Sequence, residues 1–192
     1  MTVLRIFTKN SDWRGAVDTL DALVCAGCEP DALALNTVLG ICVGAGKVDV
    51  AERFVKDWHA QADTISCNTL LKGYAKKPSL EKAGALFSCM LTSGPAPNVI
   101  SINTLLDYTV LALQQTSQAA VWSERTRSGT WSRAASQGQH VGMQRVLELL
   151  DQLDNLSIAP DRYICSTLVK GTHAEGCTEK DIDLAVALIK SR

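Results

Sequence analysis

This sequence of 192 residues contains few aromatic residues and no long apolar run, and neither sign of charge is in large excess. Aromatic side chains make up only 5% of it, which argues against an aromatic-rich β-sandwich and favours a helical protein rich in leucine and alanine. The 19 basic and 20 acidic residues nearly cancel, whereas a protein that relies on nonspecific phosphate attraction normally carries a basic excess. No apolar stretch approaches the roughly 20 residues that span a bilayer, so no membrane span is expected.

Metal ligands and catalytic groups are present as residue types, but not in the patterns that such sites need. The seven cysteines are odd in number and scattered, which indicates a reducing compartment rather than a disulfide framework. Cys25 and Cys28 form a C-x-x-C pair, yet no second cysteine pair or paired histidines stand at the spacing of a zinc site. We therefore predict no metal, no cofactor, no small-molecule substrate and no enzymatic activity.

A short pattern recurs four times along the chain. Each copy contains Asn or Ser followed by Thr and then Leu or Val, and the copies begin at Asn36, Asn68, Asn103 and Ser166. Five residues before each start stands an Asp or Asn, namely Asp31, Asp63, Asn98 and Asp161. A proline precedes three of these four residues. Four matches at one fixed offset indicate an internal repeat.

Between these marks lie two amphipathic segments separated by a short polar break, which is the pattern of a helical hairpin. In the second copy we predict a helix over Ile65–Ala75, a break that ends at Ser79 as an N-cap, and a second helix from Leu80. The first copy repeats this plan with helices over Leu33–Ala45 and Val48–Ala60. No segment shows the alternation of a β-strand.

Small residues indicate how the hairpins pack. Alanine occupies the same place in three second helices, at Ala16, Ala51 and Ala83, where it would let the two helices of a hairpin approach closely. A single hairpin cannot bury its apolar face, so neighbouring hairpins must stack. The predicted fold is therefore all-α, an α-solenoid of stacked antiparallel helix hairpins that forms one domain over residues 1–192.

The spacing resembles the pentatricopeptide repeat, a family whose units run to about 35 residues and end in Pro-Asp ahead of an Asn-Thr-Leu-Ile-like helix. The resemblance implies a right-handed superhelix, with unit boundaries at 1–31 (partial), 32–63, 64–98, 99–161 and 162–192 (incomplete). Unit 64–98 has 35 residues, whereas unit 32–63 has 32 and lacks a proline before Asp63. We therefore expect the register of the shorter unit to shift.

In this family each repeat reads one RNA base, and the reading residues are the fifth and the last of a unit. Carried onto this sequence, the resemblance gives three pairs: Asn36 with Asp63, Asn68 with Asn98, and Asn103 with Asp161. Ser166 is the fifth residue of the last unit, and its partner would lie beyond residue 192. By the family's code, Asn/Asp pairs favour uracil and Asn/Asn pairs favour a pyrimidine, which implies a ligand of three pyrimidines.

The second residue of each unit usually sandwiches the bases in this family. The residues at that place here are Leu33, Ile65, Ile100 and Tyr163. Lys72 and Lys170 are candidates for phosphate contacts beside the reading positions.

Unit 99–161 has 63 residues and so carries an insertion, placed at about 114–140 and rich in Ser, Gln, Arg and Thr. Its tryptophans and arginines are candidates for contact with RNA or a partner protein: Trp122, Arg125, Arg127, Trp131 and Arg133. The alternative is a lineage-specific loop that is partly disordered, because its low hydrophobicity cannot offset the cost of ordering it.

Two functions follow from this reasoning. The resemblance implies a helical-repeat scaffold that binds single-stranded RNA in a mitochondrion or plastid, although no transit peptide is visible. The balanced charge, the irregular unit lengths and the insertion favour an alternative, which is a structural protein–protein subunit of a large organellar complex such as a ribosome or a photosynthetic or respiratory assembly.

Overall fold

The computed structural model describes residues 6–8, 10–76, 79–126 and 161–172, together with Asp183 and Val186. Every regular element in these residues is a helix, as predicted. The helices are α1 (Trp13–Cys25), α2 (Ala32–Gly44), α3 (Val48–Asp57), α4 (Thr64–Lys76), α5 (Leu80–Thr92), α6 (Val99–Thr126) and α7 (Arg162–Thr172). The chain packs as two compact units, residues 1–104 and 105–192, and its description as one domain stays a prediction.

Helix α2 shows how the local sequence sets an element's ends. It begins after Asp31, whose carboxylate accepts a hydrogen bond of 2.7 Å from the backbone N–H of Ala34, so that a first-turn donor without an intrahelical partner is satisfied. The helix ends at Gly44, and Gly46 follows with a φ of +73°. In that left-handed conformation the chain turns, and the N–H of Lys47 bonds to the carbonyl of Cys42 at 2.8 Å.

The second hairpin follows the same plan with different punctuation. Helix α5 begins at Leu80 as predicted, but the side chain of Ser79 makes no capping hydrogen bond. The helix ends at Thr92, and the N–H of Gly94 bonds back to the carbonyl of Cys89 at 2.9 Å. The helix thus ends just before the Gly94–Pro97 segment, where glycine and proline disfavour its continuation.

Within residues 1–104 the helices form two layers. Helix α2 packs on α1, α3 and α4, and α4 packs in turn on α3 and α5. Large apolar side chains fill the space between the layers, including Leu20, Leu35, Leu39 and Leu71. The three alanines at equivalent places are almost completely buried, with Ala16 and Ala51 0% exposed and Ala83 1% exposed, which confirms that these positions lie at helix contacts.

Helix α6 departs from the predicted hairpin. Residues 114–126, at the start of the predicted insertion, continue the helix. The reason is local, since no Gly or Pro interrupts 99–126 and the segment includes several good helix formers, among them Leu113, Gln114, Gln115, Ala119 and Ala120. Trp122 and Arg125 lie in this helix, whereas Arg127, Trp131 and Arg133 lie outside the described residues. Their proposed partner contacts stay predictions.

In the part of the chain that the structure describes, no helix has both the length and the apolar character needed to cross a membrane.

The buried alanines generate a stability prediction. Replacing Ala83 by Leu should lower the free energy of unfolding by about 1–3 kcal/mol, because a larger side chain overpacks a helix contact. Ala85→Leu is the matched control on the same helix, since Ala85 is exposed, and it should change the free energy by less than about 0.5 kcal/mol. Urea denaturation followed by circular dichroism measures both, and equal effects would contradict the assigned packing.

Candidate nucleic-acid interface

The first predicted reading pair forms a closed hydrogen-bonded cluster with a serine. The Nδ2 of Asn36 donates to the carboxylate of Asp63, at 3.1 Å from Oδ1 and 3.2 Å from Oδ2. The Oγ of Ser66 donates to the Oδ1 of Asn36 at 2.6 Å. The backbone N–H of Ser66 also donates to the Oδ1 of Asp63 at 2.9 Å. We call Asn36, Asp63 and Ser66 the first amide node.

The second pair repeats this arrangement one unit later. The Nδ2 of Asn68 donates to the Oδ1 of Asn98 at 3.2 Å, and the Oγ of Ser101 donates to the Oδ1 of Asn68 at 2.6 Å. The N–H of Ser101 donates to the Oδ1 of Asn98 at 3.1 Å. Asn68, Asn98 and Ser101 form the second amide node. Two units of different length thus hold the same geometry.

The expected register shift of unit 32–63 is therefore wrong at its reading pair. The three missing residues fall in its second helix, since α3 covers only Val48–Asp57 whereas α5 covers Leu80–Thr92. Both α2 and α4, which carry the reading residues, keep their full length of 13 residues. The shortening consequently leaves the first amide node intact.

The two serines are the site residues that the sequence reasoning missed. Each lies three residues after the last residue of a unit and accepts that residue's backbone N–H, at 3.2 Å for Ser66 and 3.1 Å for Ser101. This reciprocal pattern is a capping box in which serine takes the place of the usual Glu or Gln. The spacing Asp63-x-x-Ser66 and Asn98-x-x-Ser101 was the signal that could have revealed them.

The third predicted pair consists of Asn103 and Asp161. Asn103 is half-buried on α6. Asp161 precedes α7, where its Oδ1 accepts the N–H groups of Tyr163 at 3.0 Å and Ile164 at 2.9 Å. Ile164 occupies the place that serine holds in the other two nodes. The pairing of Asn103 with Asp161 stays a prediction, and Ser166 lies exposed on α7.

The predicted base-sandwiching residues are large apolar or aromatic side chains that the fold leaves exposed. Their exposed fractions are 61% for Leu33, 61% for Ile65, 52% for Ile100 and 52% for Tyr163. In three units the threonine after the reading asparagine bonds back to the carbonyl of this second residue. The bonds run from Thr37, Thr69 and Thr104 at 2.7, 2.8 and 2.7 Å. The pattern ties each exposed side chain to the turn that carries the reading asparagine.

Tyr163 is held differently. Its phenol donates to the Oδ2 of Asp107 at 2.5 Å, and the hydroxyl of Thr167 donates to the Oδ1 of the same carboxylate at 2.8 Å. Thr167 therefore gives up the back-bond made by the equivalent threonines of the other units. One carboxylate on α6 fixes an exposed aromatic ring on α7.

Comparison with known proteins agrees with this geometry. A model of the PPR repeat family matches residues 62–109, which include the whole second amide node. A chloroplastic pentatricopeptide repeat-containing protein of Arabidopsis thaliana is 32% identical over 103 residues, which cover 51% of this chain and 13% of that protein. The chain is therefore similar to pentatricopeptide-repeat proteins, and residues 62–109 match the repeat itself.

Two further matches support the assignment. A second pentatricopeptide repeat-containing protein of Arabidopsis thaliana is 34% identical over 94 residues, or 47% of this chain and 11% of that protein. The crystal structure of the maize pentatricopeptide repeat protein PPR10 matches 98% of this chain and 28% of its own, with a TM-score of 0.51 and 22% identity. The likeness confirms the helical-repeat fold. The chain thus spans only a small part of the length of the proteins it matches.

Charge is sparse along the predicted reading positions. Burial raises the pKa of the Asp63 carboxyl, but hydrogen bonds from the Ser66 backbone, the Asn36 amide and the Ser66 hydroxyl outweigh burial and hold the pKa below its usual value. Asp63 is thus a carboxylate at neutral pH, whereas Asn98 presents a neutral amide at the equivalent place. Lys72 and Lys170 are exposed, as a role in phosphate contact requires.

A cavity of about 730 Å³ lies apart from both amide nodes, between α3, α4 and α5. At its rim Glu52 accepts hydrogen bonds from Lys82 at 2.7 Å and from Lys56 at 3.0 Å. Much of its wall is apolar, formed by Val55, Leu70, Leu86 and Met90 among others. Burial raises the pKa of Cys67, on the same wall, to about 11, so its thiol stays protonated. Among the described residues, no group of three or more His, Cys, Asp or Glu could hold a metal ion.

The first amide node predicts an acid sensitivity. The folded-state pKa of Asp63 lies below its ordinary value of 3.8, so its carboxylate stabilises the fold above that pH, and this contribution is lost as the pH falls through the folded-state pKa. Asp63→Asn should therefore make the free energy of unfolding fall less steeply below about pH 4. Asn98→Asp, the reciprocal change, should make it fall more steeply. Urea titrations between about pH 3 and 6 measure the slopes, and identical slopes would exclude the assigned hydrogen bonds.

The Asp107–Tyr163 contact predicts a shift in a tyrosine titration. Its hydrogen bond and charge raise the pKa of Tyr163 above the ordinary value of 10.0, because both favour the protonated phenol. Asp107→Ala should bring this pKa back towards 10.0. Tyr74 is the internal control. Burial, followed by the nearby Glu52, raises its pKa to about 12, so Asp107→Ala should leave its titration unchanged. Nuclear magnetic resonance of ¹³C-labelled tyrosine reports each ring separately, and an unmoved Tyr163 titration would argue against the contact.

Proposed function

We propose that this pentatricopeptide-repeat chain binds single-stranded RNA and reads one base with each complete repeat. The observation that carries the proposal is the recurrence of the amide node at Asn36 and Asn68, each on the same helix as an exposed apolar side chain at the second position. Proteins of this family read one base per helical repeat with two or three side chains. Here the same residues are ordered before any ligand is bound, which lowers the cost of binding.

The first amide node offers a donor beside an acceptor. A primary amide carries two N–H donors and a carboxylate carries several lone pairs, so after their mutual bond Asn36 keeps one donor and Asp63 keeps acceptor capacity. Uracil presents a carbonyl acceptor next to its N3–H donor. The two edges are complementary, which supports the preference of an Asn/Asp pair for uracil.

The second amide node offers donors only. Asn68 keeps one Nδ2 hydrogen, and the Nδ2 of Asn98 is a second donor because its Oδ1 already accepts from Ser101 and Asn68. Cytosine presents two adjacent acceptors, O2 and N3. This arrangement supports a pyrimidine at the second unit, with cytosine favoured over uracil.

The exposed side chains at the second positions supply the contacts to the base faces. Leu33, Ile65 and Ile100 lie more than half in water, and a base inserted between successive members would remove apolar surface from water. Each stacked base contributes about 1–3 kcal/mol, so three readable units give weak binding. Few cations lie beside the reading row, and the salt dependence should accordingly be shallow.

The compartment is proposed from the relatives. Because a matching Arabidopsis protein is chloroplastic, we place this protein in an organelle, a plastid or a mitochondrion.

A second function is favoured by a specific observation. The cavity between α3, α4 and α5 is bordered by apolar side chains on a surface that the reading residues do not use. This surface, together with the balanced charge, fits a structural protein–protein subunit of a large organellar complex without sequence-specific RNA reading.

The measurement that separates the two functions is RNA binding at two salt concentrations. Labelled oligoadenylates with a central UCU should bind at least about fivefold more tightly than those with a central GAG, since each mismatched contact forfeits hydrogen bonds. Asn68→Ala should abolish the preference at the middle base, and Asn10→Ala, an exposed residue outside the nodes, should leave it unchanged. Fluorescence anisotropy gives the Kd values, and circular dichroism confirms that each variant is folded.

No binding, or binding that ignores sequence and disappears at modest salt, would exclude base reading by this chain. That result would favour the scaffold function.

A further inference from the structure

The hydrogen bonds of each amide node have a fixed direction. A backbone N–H can only donate, and the N–H of Asn98 donates to the Oγ of Ser101 at 3.1 Å. The single hydroxyl hydrogen of Ser101 has two acceptors within reach, the Oδ1 of Asn68 at 2.6 Å and the Oδ1 of Asn98 at 3.2 Å, and the shorter distance assigns it to Asn68. The same sequence runs from the N–H of Asp63 through Ser66 to the Oδ1 of Asn36.

This direction settles which end of the reading amide is left for a base. The Oδ1 of Asn68 accepts from Ser101, so its Nδ2 must lie on the side of Asn98. An inverted amide would place an N–H donor against the serine hydroxyl hydrogen and its oxygen against the Oδ1 of Asn98. The oxygen and NH₂ ends of a primary amide are nearly equal in shape, so hydrogen bonds and not packing decide which end faces a base.

We propose that Ser66 and Ser101 are positioning residues that fix the orientation of the base-reading amides and thereby set base selectivity. The proposal rests on the RNA-binding function proposed above. Both serines are completely buried, at 0% exposure, so they act through Asn36 and Asn68 and do not touch the ligand.

The two serines differ in importance because their nodes differ at the last residue. The carboxylate of Asp63 can only accept, so it holds the Nδ2 of Asn36 in place even when Ser66 is absent. Asn98 offers Asn68 a weaker hold, a single neutral Oδ1 at 3.2 Å that also accepts the backbone N–H of Ser101. Orientation at the second node therefore depends more strongly on Ser101.

The experiment compares serine variants of the full chain on oligoadenylates that carry UCU or UAU. The middle base faces the second unit whichever way the RNA runs. The Kd for UAU divided by the Kd for UCU therefore reports the selectivity of that unit alone. Ser101→Ala should lower this ratio by about 3- to 10-fold, the worth of one hydrogen bond. Ser101→Thr keeps the hydroxyl and should restore it, and Ser88→Ala, at an exposed site on α5, should leave it unchanged.

A second set of variants tests the role of the neighbouring acceptor. For Ser66→Ala, each end base of UCU is changed to A in turn, because the first unit faces one of the two ends. The Kd of the changed oligonucleotide divided by that of UCU should fall by less than about twofold, since Asp63 still orients Asn36. In an Asn98→Asp background the middle ratio is taken with UUU against UAU, and Ser101→Ala should then have the same small effect. A merely structural serine would weaken binding to every oligonucleotide equally and leave the ratios unchanged.

Hydrogen exchange of the Asn68 Nδ2 group in the free protein gives a readout that needs no RNA. Faster exchange in Ser101→Ala, with the fold intact by circular dichroism, supports the proposal. Unchanged exchange and an unchanged UCU-to-UAU ratio would overturn it. If the parent chain binds no RNA, the RNA-binding function fails, and the exchange rates alone then decide whether the serine orients the amide.

Discussion

The first turn of a helix leaves backbone N–H groups without intrahelical partners, and the rest of the structure depends on how they are satisfied. At α4 and α6 the last residue of the preceding unit supplies the acceptor, through the Oδ1 of Asp63 and of Asn98. That same oxygen also receives the Nδ2 of the reading asparagine from the neighbouring first helix. The bond that starts one helix therefore also joins it to the previous unit.

Because the capping oxygen also accepts the amide of the proposed reading asparagine, the fold itself positions these residues. The serines of both clusters are fully buried, whereas the second residues of the units are exposed. Packing among α2, α3, α4 and α5 then fixes the distance between successive nodes. The shorter unit keeps its node since its deletion falls in α3, away from the reading helices.

Much of this arrangement could be predicted from spacing alone. The five-residue offset located both reading asparagines and their partners, and the small residue shared by Ala51 and Ala83 located the helix contacts. These features are local or repeat at a fixed period. The serines escaped notice since serine is common at helix starts for many reasons, as Ser79 shows by occupying such a place without a capping bond.

Other features depend on residues far apart in the chain, which no local pattern reveals. Tyr163 and Asp107 are 56 positions apart, and the polar composition of residues 114–126 gave no sign that α6 continues through them. The cavity beside α3 likewise follows from how three helices meet, and the sequence shows only that unit 32–63 is short.

The shared oxygen of the capping residue has a consequence for how such arrays change over time. Asp and Asn are among the best N-cap residues and differ little in the stability they give to a helix, yet at residues 63 and 98 they present different hydrogen-bonding edges. Under the proposed function, a single nucleotide change that exchanges them would alter the recognised base while the helix start stays capped. Specificity would then drift through steps that are neutral for the fold, and a lineage could explore new targets without losing it.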